Sequence, residues 1–494
     1  MAPGGPGALQ IGQLPEPVLE AIFAKCDLQT RSNCRPLLEA IFAKCDLQTR
    51  AGVLPLVCRA FHGLLAGPNA VVWPSLEFHA DISTQGGLQH ARSFLAWLAA
   101  HGSLLRTLHL DLWNNGHTPQ ADDGVAQLGS QLESSLATLC SCEFLRMRWG
   151  GLQLRVGEWV QQAAGLTCMA LSAHEMTVST AMASLTSLGH LELSTVSDMG
   201  PMLLPGSLPP SITRLCIVPA PVRFPPALPP DMNGIMPAEL PDQLLALPLV
   251  YLDVSESLFQ GPHLSACLPR LTRLTSLAFD KCELTDGIPS QLSLLTNLRI
   301  LSFDGCMRHH HQEDSWTALS TLTRLVSLSL SNSELYQVPA AVLNLPLLRH
   351  VYLEHNELRD LPGGQWWSRL HVLSLDWEPL LRSGHALLAS APHLRRLALG
   401  SHLIHTHAGD AVPPLASADA VLQALKEHPA LREVLLVARS GMMSAGPTVV
   451  VLEVLLRMAS LRPTLSVRPI EHDTFFVEEP PPDDSEAALE QAAS

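Results

Sequence analysis

The chain has 494 residues, a formal charge of −15 and 47% hydrophobic residues. Its apolar runs are broken by Pro, Arg or Asp, which argues against a membrane span, and its acidity argues against a nucleic-acid-binding surface. The eleven cysteines are an odd number and scattered, as expected for reduced thiols in a cytoplasmic or nuclear protein.

Residues 1–13 are rich in Gly and Pro and read as a disordered start, with no basic region leading into the apolar core of a secretory signal. A duplication follows. LEAIFAKCDLQTR occurs at Leu19–Arg31 and again at Leu38–Arg50, so that 17–31 and 36–50 are near-identical copies. Leu19, Ile22, Phe23 and Cys26 fall at i, i+3, i+4 and i+7, one apolar stripe of a helix. Pro17 suits the first turn of that helix. Val57, Cys58, Phe61, Leu64 and Leu65 form a second stripe, and Trp73 closes the segment. Helices this short bury little area alone, so their apolar residues predict a partner surface.

The order Leu14-Pro15, Leu19, Ile22-Phe23, Asp27-Leu28, Val57-Cys58-Arg59, Phe61, Leu64 and Val72-Trp73 resembles an F-box. That resemblance implies a small helical module over 14–80 that docks the adaptor of an SCF-type cullin–RING ubiquitin ligase. The implied adaptor contacts are Leu14, Pro15, Leu38, Ile41, Phe42, Leu47, Val57, Cys58, Phe61 and Trp73. The second copy runs into Ala51 at normal spacing, whereas the first lies nineteen extra residues from Val57. A long insert adds loop entropy and a competing helix, so the second copy is expected to be the working one. An ordinary helical cap on the domain that follows is the other reading.

From Leu105 the chain repeats the pattern apolar-x-x-apolar-x-apolar, as in Leu274/Leu277/Phe279, Leu298/Leu301/Phe303, Leu325/Leu328/Leu330 and Leu348/Val351/Leu353. Cys142/Leu145/Met147 is a degenerate candidate. From Leu249 to Leu394 the triplets recur at steps of 22 to 27 residues. The ninth position brings Cys282, Cys306 and Asn356, and the eleventh Leu284, Leu335 and Leu358. This resembles a leucine-rich repeat array, assigned to 81–470. The resemblance implies an α/β solenoid, or horseshoe, in which each repeat gives one short strand and stacking buries what a lone repeat cannot. The ninth residue is expected to turn inward and bond to backbone. The Pro-rich stretch from Pro219 to Pro241 reads as an irregular insertion.

The seventh position of each repeat falls on the concave strand face, and from Ser255 to Asp376 it is acidic at Asp280, Asp304, Glu354 and Asp376. Tyr251, His350, Tyr352 and Trp377 flank that row. An acidic face dotted with aromatics suits a target protein with a basic patch. Polar strand residues kept for solubility are the alternative.

His309-His310-His311 sits in the longest of the regular repeats and reads as a solvated insertion. Cys140 and Cys142 lack a second pair at zinc-site spacing. No HExxH, GxxxxGK[ST] or GxSxG occurs. No enzyme activity, cofactor or metal is therefore expected. Residues 471–494, with acids and no Lys or Arg, read as a disordered tail. The expected partners are the adaptor, the cullin and a target protein. A scaffold of the cytoplasm, the cytoskeleton or the cilium axoneme is the rival assignment.

Overall fold

The computed structural model describes residues 75–114, 123–196, 200–219, 240–259, 261–284, 288–306, 313–376, 379–400, 415–438 and 466–471. The duplication, every residue assigned to adaptor contact, Trp377, His309–His311 and the acidic tail after 471 lie outside them. The chain forms two compact units, Met1–Leu191 with Leu203–Pro209, and Glu192–Met202 with Pro210–Ser494.

In the first unit, β1 (Leu76–Asp81), β2 (Thr107–Trp113), β3 (Phe144–Val156) and β4 (Cys168–Val178) pair in parallel and in chain order. β1 thus starts before the boundary at 80 that separates the expected helical module from the repeats. Its register explains why: Leu76 and Phe78 pair with Leu108 and Leu110, so it is an upstream copy of the triplet strand. The degenerate triplet is a true repeat, with Cys142, Leu145 and Met147 all buried. Between β1 and β2 runs the helix Gln85–His101, capped by Thr84, whose Oγ1 accepts from the Gly87 N–H at 3.0 Å. Its buried Ala91, Phe94, Leu95 and Leu98 fall at i, i+3, i+4 and i+7, a single core-facing stripe.

β5 (His190–Thr195) and β6 (Met202–Leu203) carry the chain into the second unit. There the parallel strands are β7 (Arg214–Val218), β8 (Tyr251–Asp253), β10 (Ser276–Ala278), β12 (Ile300–Ser302), β13 (Ser327–Ser329) and β14 (His350–Tyr352). They continue with β15 (Val372–Asp376), β16 (Arg396–Gly400), β17 (Glu433–Ala438) and β18 (Ser466–Glu471). β9 (Leu258–Phe259) and β11 (Glu283–Leu284) form a separate parallel pair. One register line runs Leu215, Leu252, Leu277, Leu301, Leu328, Val351, Leu373, Leu397, Val434 and Val467. All but Val467 are the middle residues of triplets, so spacing in the chain has become stacking in space.

The turn after each strand has a recurring conformation. The eighth residue of five successive repeats, Glu256, Lys281, Gly305, Asn332 and His355, has φ between 51° and 71°. Only glycine adopts this region without cost. The turn persists with other residues because the ninth side chain is held inside. Cys282 Sγ donates to the Val254 carbonyl at 3.4 Å, and Cys306 Sγ bonds the Phe279 carbonyl. Ser333 Oγ donates to the Phe303 carbonyl at 3.2 Å, and Asn356 Nδ2 to the Leu330 carbonyl at 2.8 Å. Each acceptor is the last triplet residue of the preceding repeat. Asn356 also accepts on Oδ1 from the N–H groups of Ser333 and Leu335. The expected inward, backbone-bonding ninth residue is present, and Phe259, Leu284, Leu335 and Leu358 at the eleventh position are buried beside it.

Replacing Asn356 with Ala strips four buried backbone groups of their partner, the Leu330 and Leu353 carbonyls and the Ser333 and Leu335 N–H groups, and each unmet group costs about 1–3 kcal/mol. We expect Asn356→Ala to lower unfolding stability in urea by roughly 3 kcal/mol or more, with Ser333→Ala, which removes donation alone, costing clearly less. Equal small losses in the two variants would contradict the ladder's role.

Candidate partner-binding surface

The strand face opposite the triplets differs between the units. In the first it is open: Glu77, His79, Arg146 and Arg148 are exposed, and Phe144, His109 and Asp111 are half-buried. Asp111 is shared there by His79 Nδ1 at 3.6 Å and Arg148 Nη1 at 3.7 Å. In the second unit much of the equivalent face is buried. Tyr352, Ala398 and Leu435 form an apolar cluster with Val372 against it, flanked by the small buried hydroxyls of Ser327, Ser329 and Ser374.

This burial changes the meaning of the acidic row. The seventh positions are indeed neighbours: the eighth-residue N–H of one repeat donates to the seventh-residue carbonyl of the next, as from Gly305 to Ser331 and Asn332 to Glu354. The row exists, yet its acids do not form a solvated stripe. Asp304 and Asp376 are buried, and Glu354 has 0% of its surface exposed. Asp280 is partly covered. Short acids just before a tight turn reach backbone N–H groups more readily than solvent. Asp280 Oδ1 accepts from the Asp304 N–H at 2.9 Å and from the Ser302 hydroxyl. Asp376 Oδ2 accepts from the Asn356 N–H at 3.0 Å, and His355 Nδ1 lies 4.0 Å from Asp376 Oδ1. Lysine at Asp304 or Glu354 would enter a buried site and report on folding, not on a target.

Of the flanking residues, Tyr352 is buried, its phenol pushed up to about 12 by desolvation and then by Glu354. Tyr251 and His350 are half-buried. The Arg214 guanidinium lies 4.6 Å from the Tyr251 ring centroid, a cation–π contact. Burial also raises the Tyr251 hydroxyl, with Asp253 adding to the effect.

Cys140, Cys142, Cys168, Cys216, Cys267, Cys282 and Cys306 are reduced thiols outside any disulfide. Desolvation lifts Cys142 to about 12, which keeps it a neutral thiol donating to the Phe144 carbonyl at 3.1 Å. Among the described residues no three His, Cys, Asp or Glu side chains are placed to hold a metal ion, and no helix is long and apolar enough to cross a membrane.

Parallel strands in triplet register, left-handed eighth residues and inward ninth residues are the construction of a leucine-rich repeat array, a protein-interaction fold. No protein-family model matches the chain, and no curated protein matches it. Similar solved structures include an internalin (inlF) from Listeria monocytogenes, at 15% identity and TM-score 0.36, over 68% of this chain and 82% of that one. Another is a leucine-rich repeat protein from Leptospira interrogans, at 15% identity and TM-score 0.34, over 82% of this chain and 93% of that one. The repeat assignment rests on the register and buried ladder of this chain, not on those likenesses.

Burial pushes the Asp280 carboxyl up to about 6, against the lowering effect of its bonds from Ser302 and Asp304. The folded state therefore holds this proton more tightly than the unfolded one. Its contribution to stability is greatest below the unfolded value near 4 and falls as pH rises through about 6. Asp280→Asn keeps the acceptor oxygen without the charge. It should raise stability at pH 7 by on the order of 1 kcal/mol and flatten the pH dependence of thermal unfolding between about pH 4 and 6. An unchanged slope would show that Asp280 stays ionised in the folded protein.

Proposed function

We propose that this chain is a non-catalytic substrate receptor of an SCF-type cullin–RING ubiquitin ligase. Residues 14–80 hold the adaptor and, through it, the cullin, while the repeats hold a target protein. The observation that carries the reading is the F-box-like order of residues from Leu14 to Trp73 directly ahead of stacked repeats. The receptor works by proximity, raising the local concentration of target lysines near a charged conjugating enzyme. That role needs no catalytic group and belongs to the cytoplasm or nucleus. Of the described residues assigned to target contact, Tyr251, Asp280 and His350 are half-buried and within a partner's reach.

Ile41→Ala with Phe42→Ala should lose adaptor capture, since a central buried anchor is worth about 2–5 kcal/mol. Ile22→Ala with Phe23→Ala should change it much less. Capture from cell extract, read by mass spectrometry, checks both. Undiminished capture by the Ile41/Phe42 variant sinks the docking assignment and leaves the scaffold reading. The reverse ranking moves the working helix to the first copy.

A further inference from the structure

In the second unit a row of basic residues lies on a different line from the acids. The second residue of each triplet segment, just after its first apolar residue, stands at the strand entrance. Its N–H donates to the carbonyl of the same position one repeat earlier. This ladder runs Arg299, Val326, Arg349, His371, Arg395 and Arg432, with N···O distances of 2.8 to 2.9 Å. Arg299, Arg395 and Arg432 are exposed, and Arg349 and His371 are half-buried. No carboxylate occupies the row. The adjacent Glu433 Oε2 lies 2.6 Å from Arg396 Nε.

We propose that this ladder docks an acidic segment of a partner protein. The proposal rests on reading the repeats as a protein-interaction fold, and not on the adaptor assignment. Strands repeat at about 4.8 Å, so the basic groups from Arg349 to Arg432 spread over about 14 Å. An extended acidic segment of four or five residues covers that length at about 3.3 Å per residue. Guanidinium groups accept a carboxylate through two parallel N–H bonds, which an ammonium does not offer. A nucleic acid fits less well. Its charges, about one per 1.7 Å of duplex, would run on past the row into the field of a chain whose net charge is −15.

The test uses the full-length chain and a labelled peptide of alternating Glu and Ser, which places its acids on one side when extended. Fluorescence anisotropy at low salt should show binding that weakens as salt rises. Combining Arg349→Ser, Arg395→Ser and Arg432→Ser should weaken it about tenfold or more. The control combines Arg146→Ser, Arg148→Ser and Arg155→Ser on β3, which removes the same formal charge and should cost about twofold or less. Unchanged thermal melting establishes that both variants are folded. Equal losses in the two variants would mean that net charge alone attracts the peptide, and would overturn the proposal. So would tighter capture of single-stranded DNA of equal charge, or no peptide binding by the parent chain. Adaptor capture measured on the same proteins keeps this outcome separate from that of the receptor assignment.

Discussion

Each repeat must bury the polar backbone of a tight left-handed turn, and the ninth side chain makes that possible. It enters the interior and bonds the last triplet carbonyl of the repeat before, at Val254, Phe279, Phe303 and Leu330 in turn. Without that bond, a buried carbonyl would be left unmet in an apolar layer, at a cost comparable to a large part of a domain's net stability. The constraint links neighbours only, so stability builds from one repeat to the next. It also explains why Glu256, Lys281 and Asn332 tolerate a backbone conformation that favours glycine. The inward bond and the buried eleventh residue over-determine the turn.

The same economy governs the acids. A carboxylate at the seventh position stands one residue before the turn, where N–H groups of the neighbouring repeat point at it. Asp280 and Asp376 are captured in this way, and so serve the fold more than the surface. Asp280 retains a raised pKa because two hydrogen bonds do not fully offset its desolvation. Arg299, Arg395 and Arg432 at strand entrances, which gain nothing from the turn, stay exposed. A row that is acidic in sequence can therefore be buried while basic groups on another row keep their solvent.

In such an array, contact with another molecule depends on which rows remain reachable. The buried thiol of Cys142 is held neutral, and Asp280 and Asp376 are spent on backbone N–H groups. What remains is a ladder of side chains spaced by the strands, suited to recognising an extended segment or a complementary patch.

The sequence by itself determined the repeat. Periodic triplets dictate strands with one apolar side, and the register line from Leu215 to Val434 follows from their spacing. The inward Cys282, Cys306 and Asn356 were legible too, because small polar residues recur at one position amid leucines. The strand at Leu76–Asp81 was hidden because Trp73, which opens its triplet with Leu76 and Phe78, also completes the F-box-like pattern, and one triplet cannot say which unit it serves. Only the tertiary structure decided which rows face solvent. Period-two alternation places a residue on a face, whereas burial there depends on what neighbouring repeats lay over it. Asp304, Glu354 and Asp376 lost their solvent to that packing, and the arginines at the strand entrances kept theirs.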